Sequence, residues 1–486
     1  MERLLQQQQQ LYEEEEESRG VNVIGSELMD SYTVYIIEVT SGRHQWTVKH
    51  RYSDFRELHD KVVIKQQMLK ELLPPKTVLG KNAPAVVARR AQQLQIYLRG
   101  ILDQQGTCCS APLANFLLMH IYDLVGVTTY LAEYLFNKGE EILEKDEEVS
   151  FSPLQLHAIA WHLRRGPLPY RVTSQSDLGN ILDFACRLKC LKVAGTLGTL
   201  GSSNIEDCRL PFDLSIFKAL QQLKVNDCDI AGISGLEMCK GTLTSVSMHH
   251  CTSTIQDILF REVAVLGEWV VQGTAVDPKD KRPSPVASVP PWSELTMLDL
   301  SDNNISYIDT TLKLTPKLQH LDLRNNNIKS IENLQHLSSL SHLDLSGNKL
   351  AALPPLRGRL GNVRVLCLAA NGICSVTPLV CLYSLVSLNL ASNALYEMAE
   401  VQQLGQLPCL EQLLLEGNPV CSTSDYRTRL LAAFGERACE VSLDQMLPSS
   451  KEVDTAAVLW AIQRSQDNKH KGNAKADGAA KQPGGC

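Results

Sequence analysis

Leu318-Gln-His-Leu-Asp-Leu-Arg-Asn-Asn-Asn-Ile328 is followed after 22 residues by Leu340-Ser-His-Leu-Asp-Leu-Ser-Gly-Asn-Lys-Leu350. Both fit the frame L-x-x-L-x-L-x-x-N-x-L. Four further segments fit it too: Leu295…Ile305, Val363…Ile373, Leu385…Leu395 and Leu410…Val420. The asparagines fall at Asn303, Asn326, Asn348, Asn371, Asn393 and Asn418, spaced by 23, 22, 23, 22 and 25 residues. A segment this short cannot bury its apolar face alone, so successive coils must stack. The leucines then point inward from a short strand. The asparagine amide fits inside the turn, where it satisfies backbone groups that would otherwise be buried and unpaired.

This pattern resembles the leucine-rich-repeat family, which implies an α/β solenoid with its strands on a concave face. Two earlier segments keep the frame with Cys for Asn, Leu220…Ile230 through Cys228 and Leu243…Cys251, and Leu188-x-x-Leu191-x-Val193 is a third. The solenoid is therefore expected from residue 185. Asn418-Pro419 with Asp425-Tyr-Arg427 and Leu430 resembles the C-terminal cap of the short repeat class. Binding candidates are the strand positions between the inward leucines. One column reads Met297, His320, His342, Val365, Ser387, Gln412; the next reads Asp299, Asp322, Asp344, Cys367, Asn389, Leu414. Asp299, His320, Asp322, His342 and Asp344 make its first three coils polar and acidic, so they are the protein-interaction candidates, with a solvated surface as the plain alternative.

The chain has 486 residues and a net charge of −7, which argues against nucleic acid as the partner of the whole. The average hides a local contrast. Between Ser41 and Gly100 there are 12 Lys or Arg against 4 Asp or Glu, a local +8, suited to an anionic target for that region alone. Met1–Gly20 lacks the apolar core of a secretory signal. No apolar run reaches the length of a membrane span, and neither a Gly after Met1 nor a C-terminal C-a-a-X box marks lipidation. Fifteen scattered cysteines without C-x-x-C read as reduced thiols in a cytoplasmic protein. His249-His250-Cys251 lacks a second ligand pair at zinc spacing, so no metal and no cofactor are expected. The glycines at 195, 198 and 201 form G-x-x-G-x-x-G, which is not the dinucleotide fingerprint.

The basic region begins as strands. Ser31–Thr40 is rich in β-branched and aromatic residues, stops at Ser41-Gly42 and resumes at Gln45–Val48, a hairpin signal. Val21, Val23 and Ile24 suit a short first strand. Helices are expected over Phe55–Leu69, Pro84–Ile101 and Pro112–Ile121, giving an α+β domain. His50-Arg51-Tyr52-Ser53-Asp54-Phe55, then Leu73-Pro-Pro-Lys76, then Arg90-x-x-x-Leu94-x-x-Tyr97 resemble the PX (phox-homology) family. That resemblance implies a phosphatidylinositol 3-phosphate site. Arg51 would hold the 3-phosphate, since a guanidinium binds phosphate with two parallel hydrogen bonds. Tyr52 would floor the inositol ring, Lys76 would meet the 1-phosphate, and Arg90 would bond the 4- and 5-hydroxyls. Val78 and Leu79 are membrane-insertion candidates.

The expected organisation is a low-complexity disordered 1–20, a PX domain over 21–125 and a helical connector over 126–184. Degenerate repeats over 185–262 and a Pro-containing linker over 263–291 come next. Repeats with a cap occupy 292–445, and a helix then a disordered tail 446–486. A PX domain joined to such repeats, with strings such as Trp46-Thr-Val-Lys-His-Arg-Tyr-Ser-Asp54 and Pro211-Phe-Asp-Leu-Ser-Ile-Phe217, resembles the nischarin family of imidazoline-receptor candidates. The resemblance implies a non-enzymatic adaptor, peripheral on early or recycling endosomes and at the plasma membrane, that restrains cell migration. The partners it implies are an integrin α-subunit tail, Rac GTPase and PAK-type kinases, with self-association left open. The alternatives are an imidazoline-ligand receptor component or a regulatory subunit of a phosphatase or kinase. No nucleophile–base pair or phosphate loop supports catalysis.

Overall fold

The computed structural model describes residues 19–30, 32–62, 72–76, 83–105, 109–165, 173–261, 269–272 and 287–479. They divide into two compact units, the first ending at Cys239 and the second starting at Lys240.

The first unit opens with an antiparallel sheet of β1 (Arg19–Leu28), β2 (Thr33–Ser41) and β3 (His44–Arg51), in that order. Alternation along these strands sends Tyr35, Ile37, Val39, Trp46 and Val48 into the core. β1 is longer than the short strand expected, because an irregularity between Val23 and Gly25 lets it stay paired to Leu28 while Ile24 turns outward. Helix α1 (Tyr52–Val62) follows β3 directly and buries Phe55 and Leu58. Helix α2 (Pro84–Gln105) buries Val87, Arg90, Leu94, Tyr97, Leu98 and Ile101, one face at helical spacing. The single helix expected over 112–121 is two, α3 (Ala111–Phe116) and α4 (Met119–Tyr122), because Leu118 adopts a left-handed backbone between them. Trp46 is the keystone of this core: its indole Nε1 donates to Leu117 O at 2.7 Å.

Asp123 then ties three segments together. Its carboxylate receives Arg19 Nη2 at 2.8 Å, Ser41 Oγ at 2.6 Å and the backbone N–H of Gly126 at 2.8 Å. The last bond caps α5 (Leu124–Lys145). Beyond it, β4 (Val149–Phe151), β5 (Cys190–Ala194) and β7 (Gln222–Asn226) pair in parallel. β4 lies inside the stretch expected to be a helical connector, so parallel stacking starts before residue 185. Its three residues are too few to show the leucine frame. Helices α6 (Pro153–Arg165) and α7 (Leu178–Arg187) lie between β4 and β5. A small parallel pair, β6 (Phe212–Asp213) with β8 (Ile233–Ser234), also belongs to this unit.

The second unit is the solenoid proper. β9 (Ser245–His249), β12 (Met297–Asp299), β13 (His320–Asp322), β14 (His342–Asp344), β15 (Val365–Cys367), β16 (Ser387–Asn389) and β17 (Gln412–Leu414) form one parallel ladder in unbroken register. β10 (Trp269–Val271) and β11 (Ala287–Val289) pair separately, in the stretch expected to be a linker. The central leucines of the six full repeats are all buried. Each asparagine bonds across to the preceding coil. Asn348 Oδ1 accepts Ile328 N at 3.0 Å while its Nδ2 donates to Leu323 O at 2.9 Å and Leu345 O at 3.0 Å. After the cap helix (Tyr426–Ala433), β18 (Ser442–Leu443) adds one more parallel strand. The last helix (Ser450–Ala479) packs Ala456 against Leu431, Ala432 and Ala438. Arg427 Nε meets Glu452 Oε1 at 2.8 Å, joining the cap to that helix.

Candidate phosphoinositide site and acidic strand face

The junction of β3 and α1 assembles the first site. Arg51 ends the strand and its side chain is half exposed. Asp54, in the first turn of α1, accepts both the Arg51 backbone N–H and its side-chain Nε, each at 3.0 Å. These bonds hold the Asp54 carboxyl below the usual range despite partial burial. They also hold the guanidinium through its Nε. Tyr52 follows, and its hydroxyl donates a short hydrogen bond to Pro74 O, which brings the Leu73-Pro-Pro-Lys76 segment to the same place. Burial raises the Tyr52 pKa, opposed by the charges of Arg90 and Arg56, so the phenol stays a neutral donor. Arg90, from α2, stacks its guanidinium 4.7 Å from the Tyr52 ring centroid and is only 7% exposed.

Arg90, distant in sequence, is thus brought onto the ring of Tyr52, the chain neighbour of Arg51, with Lys76 exposed on the segment that Tyr52 anchors. Phe55 and Leu94 are core residues. His50 backs the site: its ring stacks on Phe116 at 3.8 Å and its Nε2 lies 2.7 Å from Phe116 O. Val78 and Leu79 lie outside the described residues. The sequence reading missed another apolar element at this end of the sheet. Arg51 pairs with Val34, and the β1–β2 hairpin tip beyond that pair exposes Leu28, Met29 and Tyr32. Alternation could not reveal it, because a turn has none.

The second candidate is the strand face of the solenoid. Register places Asp299 beside Asp322 and Asp322 beside Asp344. His320 and His342 stack with ring centroids 4.2 Å apart. Each Asp also accepts a backbone N–H two residues on, from Ser301, Arg324 and Ser346, so the column has a local structural task as well. Burial pushes Asp322 up to about 6, with Asp299 and Asp344 adding to the rise. Burial also lowers His342, helped by His320 and Arg364, so that imidazole is held neutral. Cys367, next in the column, is pushed up to about 11 by burial and by Asp344 and Asp322, an unreactive thiol. The column continues upward through residues that the six repeats do not include. Ser247 pairs with Asp299, and His249 Nε2 lies 3.5 Å from Asp299 Oδ2. His249 Nδ1 sits 3.0 Å from Ser301 O and the Cys251 backbone N–H is taken by Asn303, so this His-His-Cys stretch is engaged in joining coils.

Residues 38–120 match the family model for the PX domain and residues 293–350 that for the leucine-rich repeat. The chain carries an N-terminal PX domain followed by leucine-rich repeats. Both domain types are non-catalytic. Among curated proteins, the chain is similar to serine/threonine-protein kinase 11-interacting protein of Gallus gallus. Identity is 28% over 240 residues, covering 48% of this chain and 20% of that one. It is also similar to PX domain-containing protein kinase-like protein of Rattus norvegicus, 28% identical over 181 residues, covering 35% of this chain and 31% of the other. The chain therefore spans a fifth to a third of the length of these relatives. An internalin from Listeria monocytogenes aligns over 56% of this chain and 71% of its own, at 17% identity and a TM-score of 0.37.

Proposed function

We propose that this protein is a membrane-recruited adaptor. Its PX domain binds phosphatidylinositol 3-phosphate, and its repeats hold a protein partner through the acidic strand face. The observation that carries the lipid reading is the stacking of Arg90 on Tyr52 directly beside the half-exposed Arg51, an anion-binding fork next to a guanidinium–aromatic stack. A 3-phosphate carries nearly two charges and several acceptor oxygens, which suits Arg51 bonded bidentately. Arg90 would bond the ring hydroxyls and Lys76 the 1-phosphate. Leu28, Met29 and Tyr32 extend from the same end and would enter the membrane interface, where amphipathic tyrosine is favoured. No helix among the described residues is long and apolar enough to cross a membrane, so this reading makes attachment peripheral, with endosomes as the site.

The acidic column of Asp299, Asp322 and Asp344, flanked by His320 and His342, would take a basic segment of a partner. The kinase in the name of the Gallus gallus relative supplies one candidate class. The integrin tail, Rac and PAK-type kinases implied by the resemblance supply others. Flotation of the full chain on liposomes with and without phosphatidylinositol 3-phosphate tests the lipid half. Arg51→Gln should abolish the lipid-dependent fraction with an unchanged circular dichroism spectrum; undiminished flotation of folded Arg51→Gln would overturn the site.

A further inference from the structure

The G-x-x-G-x-x-G stretch has a place that neither half of the proposed function uses. It leaves the end of β5 at Ala194 and reaches the free edge of β3 in the PX sheet. Thr47 N donates to Ser202 O at 3.2 Å and Ser202 Oγ donates to Thr47 O at 2.7 Å. Gln45 N donates to Asn204 Oδ1 at 2.8 Å, Asn204 N returns to Gln45 O at 2.9 Å, and Asn204 Nδ2 reaches Arg43 O at 3.0 Å. Five hydrogen bonds thus occupy the edge that an isolated sheet would leave open. Beneath them the apolar contact is continuous. Ile205, Leu154, Ala158 and Trp161 belong to the same buried cluster as Trp46, Leu117 and Tyr122.

The loop is also shaped in advance. Asp207, buried, accepts Thr196 N at 2.9 Å and Thr196 Oγ1 at 2.6 Å. Leu200 N donates to Ile205 O at 2.7 Å, which closes the loop on itself. Two of the glycines are demanded by close approach. A Cβ on Gly195 would sit 2.2 Å from Asp227 O in the next coil. One on Gly201, which has a left-handed backbone, would sit 2.5 Å from the Tyr122 hydroxyl of the PX domain. One end of the loop is therefore fitted to the coils and the other to the PX core.

We infer that the PX domain and the first coils, through residue 239, form one cooperative unit joined by the loop at 195–205, so that headgroup binding at the Arg51 pocket stabilises the coil strands it never touches. Arg51 lies four residues beyond Thr47, the nearest joint residue, about 13 Å along β3 at ~3.3 Å per residue, so the effect travels through the strand and the shared core. A ligand that binds only the folded PX domain stabilises everything that unfolds with it. The ligand arm rests on the phosphoinositide reading; the coupling itself does not.

Hydrogen exchange on the full chain tests it in two arms. In the first, soluble dibutanoyl phosphatidylinositol 3-phosphate is added at about 100 times its dissociation constant. Amides in β3, β5 and β7 that exchange through cooperative unfolding should then slow together, by up to about 100-fold. In the second arm no ligand is present. Ile37→Val, buried in the central strand β2, which makes none of the joint's five hydrogen bonds, should accelerate those PX amides about fivefold. The β5 and β7 amides should accelerate by the same factor. In a Gly201→Val background the Ile37→Val acceleration should be confined to the PX amides. If Ile37→Val speeds the PX amides alone in the otherwise native chain, the cooperative unit is wrong. If the headgroup slows nothing while the Ile37→Val arm behaves as expected, the coupling stands and the lipid reading falls.

Discussion

Replacing Asp322 by Asn should make the free protein more stable and a poorer binder of a basic partner. In the folded chain the Asp322 carboxyl is pushed up to about 6 from an ordinary 3.8, chiefly by burial and then by Asp299 and Asp344. At about 1.4 kcal/mol per pKa unit, its ionised form costs the folded state up to about 3 kcal/mol. The folded pKa is the raised one, so between about pH 4 and pH 6 the folded chain holds the extra proton. This contribution to stability is present below the unfolded pKa and is lost as pH rises through the folded one. Asn keeps an oxygen to accept the Arg324 N–H, which Asp322 Oδ1 now accepts at 3.0 Å. It gives up the contact at 3.4 Å between Arg324 Nε and the second carboxylate oxygen, a pair whose arginine is half exposed and which is worth under about 1 kcal/mol. Asp322→Asn should therefore gain about 2 kcal/mol near pH 7.5, and the gain should shrink toward zero near pH 4. Urea unfolding of both proteins at several pH values between these limits measures it, and the difference between the two curves cancels every other titrating group. A difference that does not change with pH would refute the account of the column as an electrostatically costly face. In the same variant, affinity for a lysine- or arginine-rich peptide should fall, since the charge that burdens the free protein is the one the partner would neutralise.

Three further outcomes are expected. Asn348→Leu removes a bond to Ile328 N and two to buried carbonyls. At about 1–3 kcal/mol for each buried group left unpaired, it should cost about 3–5 kcal/mol in denaturant unfolding, whereas a loss below about 1 kcal/mol would show that the asparagine ladder is dispensable. Glu452 is drawn down to about 2 by the Ser449 backbone and by Arg427. Glu452→Gln should cost about 1 kcal/mol at neutral pH, and because the folded pKa is the depressed one, the loss should vanish as pH falls toward about 2; thermal melts of both proteins across that range decide it. Liposome attachment of the full chain should weaken with added salt, since each basic side chain near an anionic surface contributes about 1 kcal/mol that ions screen. Flotation indifferent to salt would instead assign attachment to Leu28, Met29 and Tyr32.

The parts of the fold legible in the sequence are those where side chains repeat or carry charge. Six asparagines in one frame announced the ladder from Met297 onward. Arg51, Tyr52, Lys76 and Arg90 could be picked out because phosphate recognition calls for particular residue types. The stacking of Arg90 on Tyr52 was not legible, since it depends on how α2 crosses α1. The joint between Gly195 and Ile205 was not legible for a different reason. On the PX side all five of its bonds are to backbone groups of Arg43, Gln45 and Thr47, which every residue owns, and the three glycines advertise only that something passes close by. β4 and β18 escaped notice because two or three residues suffice to add a rung where a neighbouring strand offers an edge. Leu118, which splits one expected helix into two, has no local signal at all; only tertiary packing holds a leucine in a left-handed backbone.

Asn303 bonds to Met248 O and Cys251 N, 55 and 52 residues back along the chain, whereas the later asparagines reach 20 to 28 residues. The ladder therefore counts neighbours in space and is indifferent to how much chain is spent between them. Closing a span of 52 residues in place of one of 23 raises the entropic cost by only about 0.7 kcal/mol, well within what one asparagine's bonds return. Between Thr252 and Trp292 the polypeptide can consequently change in length at little entropic cost to the register, provided that the buried Ile255, Leu259 and Trp292 keep their places. Evolution could lengthen that segment, as an editor may enlarge a parenthesis without altering the sentence that encloses it.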